Sequence, residues 1–204
     1  MECNDTYKTV DRPSGDSLLK EKGSKFIGYV FPISSEDDVK LSLEAVKKKH
    51  YSARHWCYAW QLGLDKISYR VNDDGEPSNS AGQPIYGQIL SFDVKNVLVV
   101  VVRYFGGVKL GVGGLISAYK ETAKLTLEQA SIVERIRKDQ FRLKFEYADM
   151  NKVMRIIKEE SLQVDSQKME MSCEFDISVR KKDVEKVIRR FDELRVVKIK
   201  SLLP

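Results

Sequence analysis

Apolar positions change their period along this chain, and each change marks an element. Residues 24–33 (SKFIGYVFPI) are dense in β-branched and aromatic side chains and predict a strand. From 34 to 50 the period turns helical, with Val39, Leu43 and Val46 on one face. Ser34 or Ser35 can cap that helix, Glu36, Asp37 and Asp38 suit the positive end of its dipole, and Lys47, Lys48 and Lys49 suit the negative end. Residues 54–62 (RHWCYAWQL) and 66–71 (KISYRV) predict the two strands of a hairpin around a turn that holds Gly63. Residues 72–84 (NDDGEPSNSAGQP) have no period and predict a loop, and 85–92 (IYGQILSF) predict a short helix. Residues 96–105 (NVLVVVVRYF) lack polar alternation and predict a strand covered on both faces. A long helix is expected from Leu115 to about Val133. Residues 1–16 are polar, carry Pro13 and Gly15, and predict a tail or an edge segment.

The later part of the chain has a simpler rhythm. Residues 140–147 predict a strand, 148–161 a helix with Val153, Ile156 and Ile157 inward, and 162–179 two strands turning near Gln167 to Glu170. Residues 180–194 predict a helix with Val184, Val187, Ile188 and Phe191 on one side, and 195–203 a closing strand. The order β-α-β-β-α-β is that of the ferredoxin-like split motif. An α+β protein of two domains is therefore expected, residues 1–135 and 136–204.

Composition narrows the class. Of 204 residues, 42% are hydrophobic and 32% charged, a balance that can fold as one large or two small domains. The longest aliphatic run, Val97 to Val102, is far short of the roughly 20 residues of a membrane helix. No basic-then-apolar segment with a cleavage site opens the chain, so a secretory signal is not expected. Cys3, Cys57 and Cys173 are odd in number and widely spaced, which speaks against a disulfide framework or zinc site and for a cytoplasmic location. Of the net charge of +5, residues 1–135 carry +1 (18 basic, 17 acidic) and residues 136–204 carry +4 (17 and 13). A basic second half suits RNA or another acidic partner, and also suits a plain soluble surface.

Candidate chemistry concentrates in three places. Five glycines, Gly106, Gly107, Gly111, Gly113 and Gly114, fall between a buried strand and a helix. A Walker loop fails because Val112 and Gly113 stand where Lys and Ser/Thr belong, and a dinucleotide fingerprint fails at Ile116. What remains is a strand, a glycine turn and a helix N-terminus, which suits an anion, with Arg103 and Lys109 beside it. The same glycines also suit left-handed turns and close packing. In the loop, Asp73, Asp74 and Glu76 place three carboxylates in four residues, as a cation or acid–base site would, or as a solvated turn would; the calcium-loop spacing is absent. His55 and Cys57 alternate on one strand and share a face, but no third group is evident for nucleophilic catalysis, and His50 is the one other His. On the last helix Lys182, Lys186, Arg189 and Arg190 make a basic stripe, either a solvated face or an RNA-contacting one.

These blocks together resemble one family. GQILSFDVKNVLVVVVRYFGGVKLGVGG, with its Arg-aromatic-aromatic-Gly-Gly core, and ARHWCYAW, DDGEPSNSAGQP and GLISAY resemble the blocks of the IMPACT/YigZ family, in its order, over about residues 17–133. The resemblance implies a two-layer first domain similar to the second domain of certain small-subunit ribosomal proteins. It also implies a ferredoxin-like second domain similar to the last domain of elongation factor G. The resemblance further implies relation to eukaryotic translational regulators that associate with an activator of a stress-responsive initiation-factor kinase, whose extra N-terminal partner-binding domain is not expected here. The family residues carried over are Arg54, His55, Asp73, Asp74, Gly75, Glu76, Pro77, Ala81, Gly82, Arg103, Tyr104, Gly106, Gly107, Gly111, Gly113, Gly114 and Tyr119.

The function expected is that of a cytoplasmic, translation-associated regulator that binds RNA or a ribosomal or translation-factor protein through the glycine loop and the basic last helix. No catalytic residue, metal, cofactor, membrane or small-molecule substrate is expected. The alternative is an enzyme acting on a small phosphorylated or acyl substrate with the 73–76 turn and His55. That alternative requires His55 or Glu76 to converge on the glycine loop in one pocket.

Overall fold

The structure is a computed structural model that describes residues 5–202. Cys3 lies outside the described residues. The chain divides into two compact units: residues 7–135, and residues from 136 onward together with Asp5 and Thr6.

The first unit is built on a five-stranded sheet. Its elements are β1 (Thr6–Val10), β2 (Ser14–Glu21), β3 (Ser24–Pro32), α1 (Glu36–Lys49), β4 (His55–Leu62), β5 (Ser68–Asn72), α2 (Gly82–Ser91), β6 (Val97–Tyr104), α3 (Gly111–Glu128) and β7 (Ile132–Ile136). The sheet order is β2-β3-β6-β4-β5, antiparallel at every step, and β1 pairs with β7 apart from it. The polar opening residues thus supply β1 and the edge strand β2 rather than a tail.

Strand β6 explains the layering. Val97, Val99 and Val101 pack under Ile85 and Ile89 of α2 and Leu115, Tyr119 and Leu127 of α3. Leu98, Val100 and Val102 pack on the other face with Val39 and Val46 of α1. The expected two-layer domain is therefore corrected to three layers, because a strand apolar at every position needs cover on both faces. Each such side chain, fully buried, contributes about 1.5–3 kcal/mol.

Two helix boundaries also differ from expectation. Helix α3 starts at Gly111, not Leu115, and ends at Glu128. Packing of Leu115, Tyr119, Ala123 and Leu127 carries the helix back through glycines that disfavour it locally. Ile132 and Val133, expected at the helix end, instead belong to strand β7. The close seat of α3 depends on Gly28 of β3, where a Cβ would fall 1.9 Å from Thr126 Oγ1.

The second unit has β8 (Lys138–Glu146), α4 (Met150–Glu159), β9 (Gln163–Lys168), β10 (Ser172–Arg180), α5 (Val184–Glu193) and β11 (Lys198–Ser201). Its sheet order is β11-β8-β10-β9, antiparallel throughout, so the β-α-β-β-α-β order closes into one sheet. Phe141, Leu143, Phe145, Phe175 and Ile177 line the face covered by Val153, Ile156, Val187 and Phe191 of the two helices. No helix among the described residues is long and apolar enough to cross a membrane.

Candidate functional site

The site forms where β6 ends. Residues alternate faces along a strand, so Arg103 looks toward α2 and α3 while Tyr104 looks toward α1. Phe26 of β3 and His55 of β4 are the cross-strand neighbours of Arg103. The Arg103 guanidinium lies 5.4 Å from the Phe26 ring centroid and 5.6 Å from that of Phe105. It is 5% exposed, so its charge requires a partner.

That partner is Glu76. Arg103 Nη1 donates to Glu76 Oε1 at 2.6 Å, and the two side chains are 6% and 4% exposed. Tyr119 Oη donates to the same oxygen at 2.8 Å, and the Cys57 thiol lies 3.2 Å from Tyr119 Oη and 3.0 Å from the Asp73 carbonyl. Burial pushes the Cys57 thiol and the Tyr119 phenol well above their ordinary values, so neither is prepared as a nucleophile. Arg103 Nε is buried without a hydrogen-bond partner among the described residues, an omission that costs about 1–3 kcal/mol.

The loop 73–81 divides its three carboxylates among different tasks. Asp73 accepts from the backbone N–H groups of Asn79, Ala81 and Gly82 at 2.8–2.9 Å and so caps α2, whose own N-cap, Ala81, has no side-chain acceptor. Asp74 accepts from the Trp56 N–H at 2.7 Å. Glu76 alone turns to Arg103. The three expected as one acidic site therefore do not converge, and no metal-ligating cluster occurs among the described residues. His55 Nδ1 lies 2.8 Å from the Asp74 carbonyl, which only accepts, so in the neutral ring Nδ1 carries the proton. Its Nε2 is left facing Glu76 Oε1 at 3.9 Å.

A hollow of about 520 Å³ opens over this group. Arg54, His55, Glu76, Arg103 and Phe105 line it together with Lys109, Gly111, Val112 and Leu115 from the glycine loop and the start of α3. Helix α3 begins here without a cap: Leu110 supplies no side-chain acceptor, and its first turn holds no acid. Helix α1 is the opposite case. Ser35 and Asp38 form a complete capping box, with Glu36, Asp37 and Asp38 in the first turn. The unsatisfied amides and positive end of α3 are thus left for something else. Arg54 and Lys109 are exposed and make no ion pair among the described residues.

The glycines have separate duties. A Cβ on Gly106 would fall 1.8 Å from Gly23 C, so Gly106 is a packing residue. Gly107 and Gly111 hold φ of +89° and +74°, the left-handed region that favours glycine. Gly113 meets nothing within 4 Å and leaves the first turn of α3 bare, while Gly114 sits over Leu110. Tyr104, expected at this site, is instead hydrogen-bonded to His50 Nδ1 at 2.9 Å on the α1 face. Phe105 was not among the expected residues, although it follows directly on Arg103 and Tyr104 and carries the cation–π contacts of both Arg54 and Arg103.

In the second unit α5 starts at Val184 rather than at residue 180, so Lys182 lies in the turn before it, and the basic stripe is half neutralised. Lys186 Nζ and Arg190 Nη1 each reach Glu160 at 2.6 Å, and Arg190 also pairs with Glu159. Lys182 and Arg189 make no ion pair among the described residues.

The molecule is thus a mixed α/β protein of two units, the first carrying a lined hollow at the start of an uncapped helix. The Impact N-terminal domain matches residues 22–127, just over half of the chain, and the chain belongs to the IMPACT family. It is 38% identical over 130 residues to the IMPACT family member YvyE of Bacillus subtilis, a match covering 64% of this chain and 59% of that one. It is 35% identical over 128 residues to the IMPACT family member YigZ of Escherichia coli, covering 62% and 63%. The chain thus spans about six-tenths of the length of these curated relatives. A solved structure described as a hypothetical protein superposes with a TM-score of 0.72 at 23% identity over 98% of both chains, which establishes likeness of fold.

Proposed function

We propose that the protein is a cytoplasmic, translation-associated regulator that binds RNA, with the hollow on α3 as its main phosphate seat and α5 as an accessory face. One observation carries this reading: the uncapped start of α3 meets two unpaired cations, Arg54 and Lys109. Unpaired amides and cations at a helix start favour phosphate oxygens. Membership of the IMPACT family adds the translational context implied by the eukaryotic relatives. Likeness of the first unit to a ribosomal-protein domain, and of the second to the last domain of elongation factor G, belongs to the same proposal.

Single-stranded RNA binding measured against salt tests it. Each phosphate contact is expected to contribute a slope of about 0.7 log units per log salt. Arg54→Glu with Lys109→Glu is expected to remove most of the affinity, and Lys182→Glu with Arg189→Glu a smaller part, since Lys186 and Arg190 already have carboxylate partners. A salt-insensitive interaction that survives both double variants would sink the reading. Capture of an acidic protein surface, but not RNA, would transfer it to a ribosomal or translation-factor protein.

A second reading has one observation in its favour. His55 and Glu76 converge on the glycine loop in one hollow, as an enzyme acting on a small phosphorylated or acyl substrate requires. With Glu76 already accepting from Arg103 and Tyr119, His55 Nε2 is the group available for proton transfer. Hydrolysis of phosphate or acyl esters that disappears in His55→Gln, with folding retained, would support this reading; its absence across both ester classes would dismiss it.

A further inference from the structure

We infer that the hollow recognises a nucleoside 5′-phosphate monoester, as a free nucleotide or as the phosphorylated end of an RNA strand, rather than the internal phosphodiesters of a chain. The inference rests on the anion-binding reading above and makes its ligand specific.

Charge balance is the first ground. The Arg103 charge is already matched by Glu76 at 2.6 Å, so it adds no net charge to the floor. The uncompensated positive charge is that of Arg54 and Lys109, together with the start of α3, where no acid stands in the first turn. A phosphodiester brings one negative charge and leaves a cation unmatched. A phosphate monoester carries close to two at neutral pH, because its second pKa is about 6. The dianion matches the two cations, and its additional terminal oxygen can accept from the amides of the first turn of α3. Gly113 keeps that turn open, with nothing within 4 Å of where its Cβ would stand.

A second ground is the floor. Arg103 is 5% exposed and lines the hollow, and its Nε–H has no acceptor among the described residues. Held by Glu76, the guanidinium gives the hollow a fixed, donor-bearing floor beneath the two unmatched cations.

The third ground is shape. A volume of about 520 Å³ falls in the range of small-ligand sites, roughly 300–1,000 Å³. A volume of this size suits one nucleotide unit. Phe105, 38% exposed, lies 5.5 Å from the Arg54 guanidinium and offers an aromatic and guanidinium surface on which an unstacked base can lie.

Titration calorimetry with the full chain tests the inference, with four probes: adenosine 5′-monophosphate, adenosine, a short single-stranded RNA with a 5′-phosphate, and the same RNA with a 5′-hydroxyl. The nucleotide is expected to bind and adenosine not to. The 5′-phosphorylated RNA is expected to bind about tenfold or more tightly than its 5′-hydroxyl form. Gly113→Glu places a carboxylate in the open first turn, where its Cβ meets nothing within 4 Å, and should lower affinity for both phosphorylated probes about tenfold or more. Its thermal unfolding, unchanged or raised, certifies the fold. Binding of the phosphorylated RNA but not of the nucleotide supports the inference, with an RNA end as the source. Binding of the nucleotide but of neither RNA supports it with a free nucleotide as the source, and overturns the RNA reading. Equal binding of the two RNAs, lost in Arg54→Glu with Lys109→Glu, overturns the inference and leaves the RNA reading standing. Binding of no probe overturns both.

Discussion

Arg103 and Tyr104 are neighbours in sequence, yet each anchors a polar network on a different face of the sheet. On the α2/α3 face Arg103, Glu76, Tyr119 and Cys57 form a buried group around one ion pair. On the α1 face Tyr104 meets His50 Nδ1, His50 Nε2 meets Tyr29 Oη at 2.6 Å, and Tyr29 Oη donates to Asp16 at 2.5 Å. Lys49 reaches Asp16 from solvent at 2.8 Å. The first network turns a buried charge toward a hollow. The second joins neutral rings in series and ends at a carboxylate whose side chain is 67% exposed. Two polar clusters beside one strand end thus differ in kind: one is held by a buried charge pair, the other by hydroxyls and ring nitrogens in a chain that ends at an exposed carboxylate.

Glu76→Ala breaks the comparison most severely. It leaves the Arg103 guanidinium, 6% exposed, without its carboxylate and is expected to destabilise the unit by about 3–5 kcal/mol in urea unfolding. Removing one phenolic hydroxyl from each network sharpens the contrast. Tyr119→Phe leaves Glu76 with one donor fewer and the Cys57 thiol without its oxygen neighbour in a fully buried setting, for a loss of about 1.5 kcal/mol. Tyr29→Phe is expected to cost about 1 kcal/mol: Asp16 can turn to water, and the loss comes from the buried His50 Nε2, which is left without its hydroxyl partner. Gly113→Glu runs the other way. It replaces a helix glycine and places an acid at the positive end of α3, and a gain of about 1 kcal/mol in thermal unfolding is expected.

The smallest contrast is expected from pH. Burial, with help from the Lys49 charge, holds the His50 imidazole below its ordinary value of 6.5, while Asp16 opposes this; Tyr29 and Tyr104 face it with hydroxyls. As pH falls the unfolded chain takes up the proton first, so stability is intact above about 6.5 and declines below it, until the folded ring titrates as well. His50→Gln should flatten that part of the stability–pH curve. Asp16 is held below 3.8, chiefly by its hydrogen bond to Lys49, so its contribution is lost only in stronger acid. Tyr29, pushed up to about 12 mainly by burial, stays a donor throughout this range.

Local patterns reported much of this architecture. The signals at both ends of α1 are all present in the structure, down to the Ser35–Asp38 capping box, because caps act over three or four residues. Strand β6 and the β-α-β-β-α-β order were equally legible from apolar runs and helical spacing. The period-2 rule also held the correct place of Tyr104, since consecutive strand residues cannot share a face. Arg103 and Tyr104 therefore belong to different faces and cannot serve one site. The absence of any Ser, Thr, Asp or Asn between Phe105 and Leu115 likewise announced an uncapped helix. Strands β1 and β7 were not legible, because the two segments pair across more than a hundred residues and neither alternates clearly by itself.

From its own order of residues, then, the chain determined where charge, glycine and apolar faces lie along each element. The tertiary structure decided which of them meet. Glu76 stands 27 positions before Arg103 and one turn away from two other carboxylates of the same type. Only the path of the 73–81 loop, tied by Asp73 to the start of α2 and by Asp74 to the Trp56 amide, sends Glu76 alone to the buried guanidinium. The physical reason is that a carboxylate's chemical type is local, whereas its desolvation and its partner belong to the packed whole.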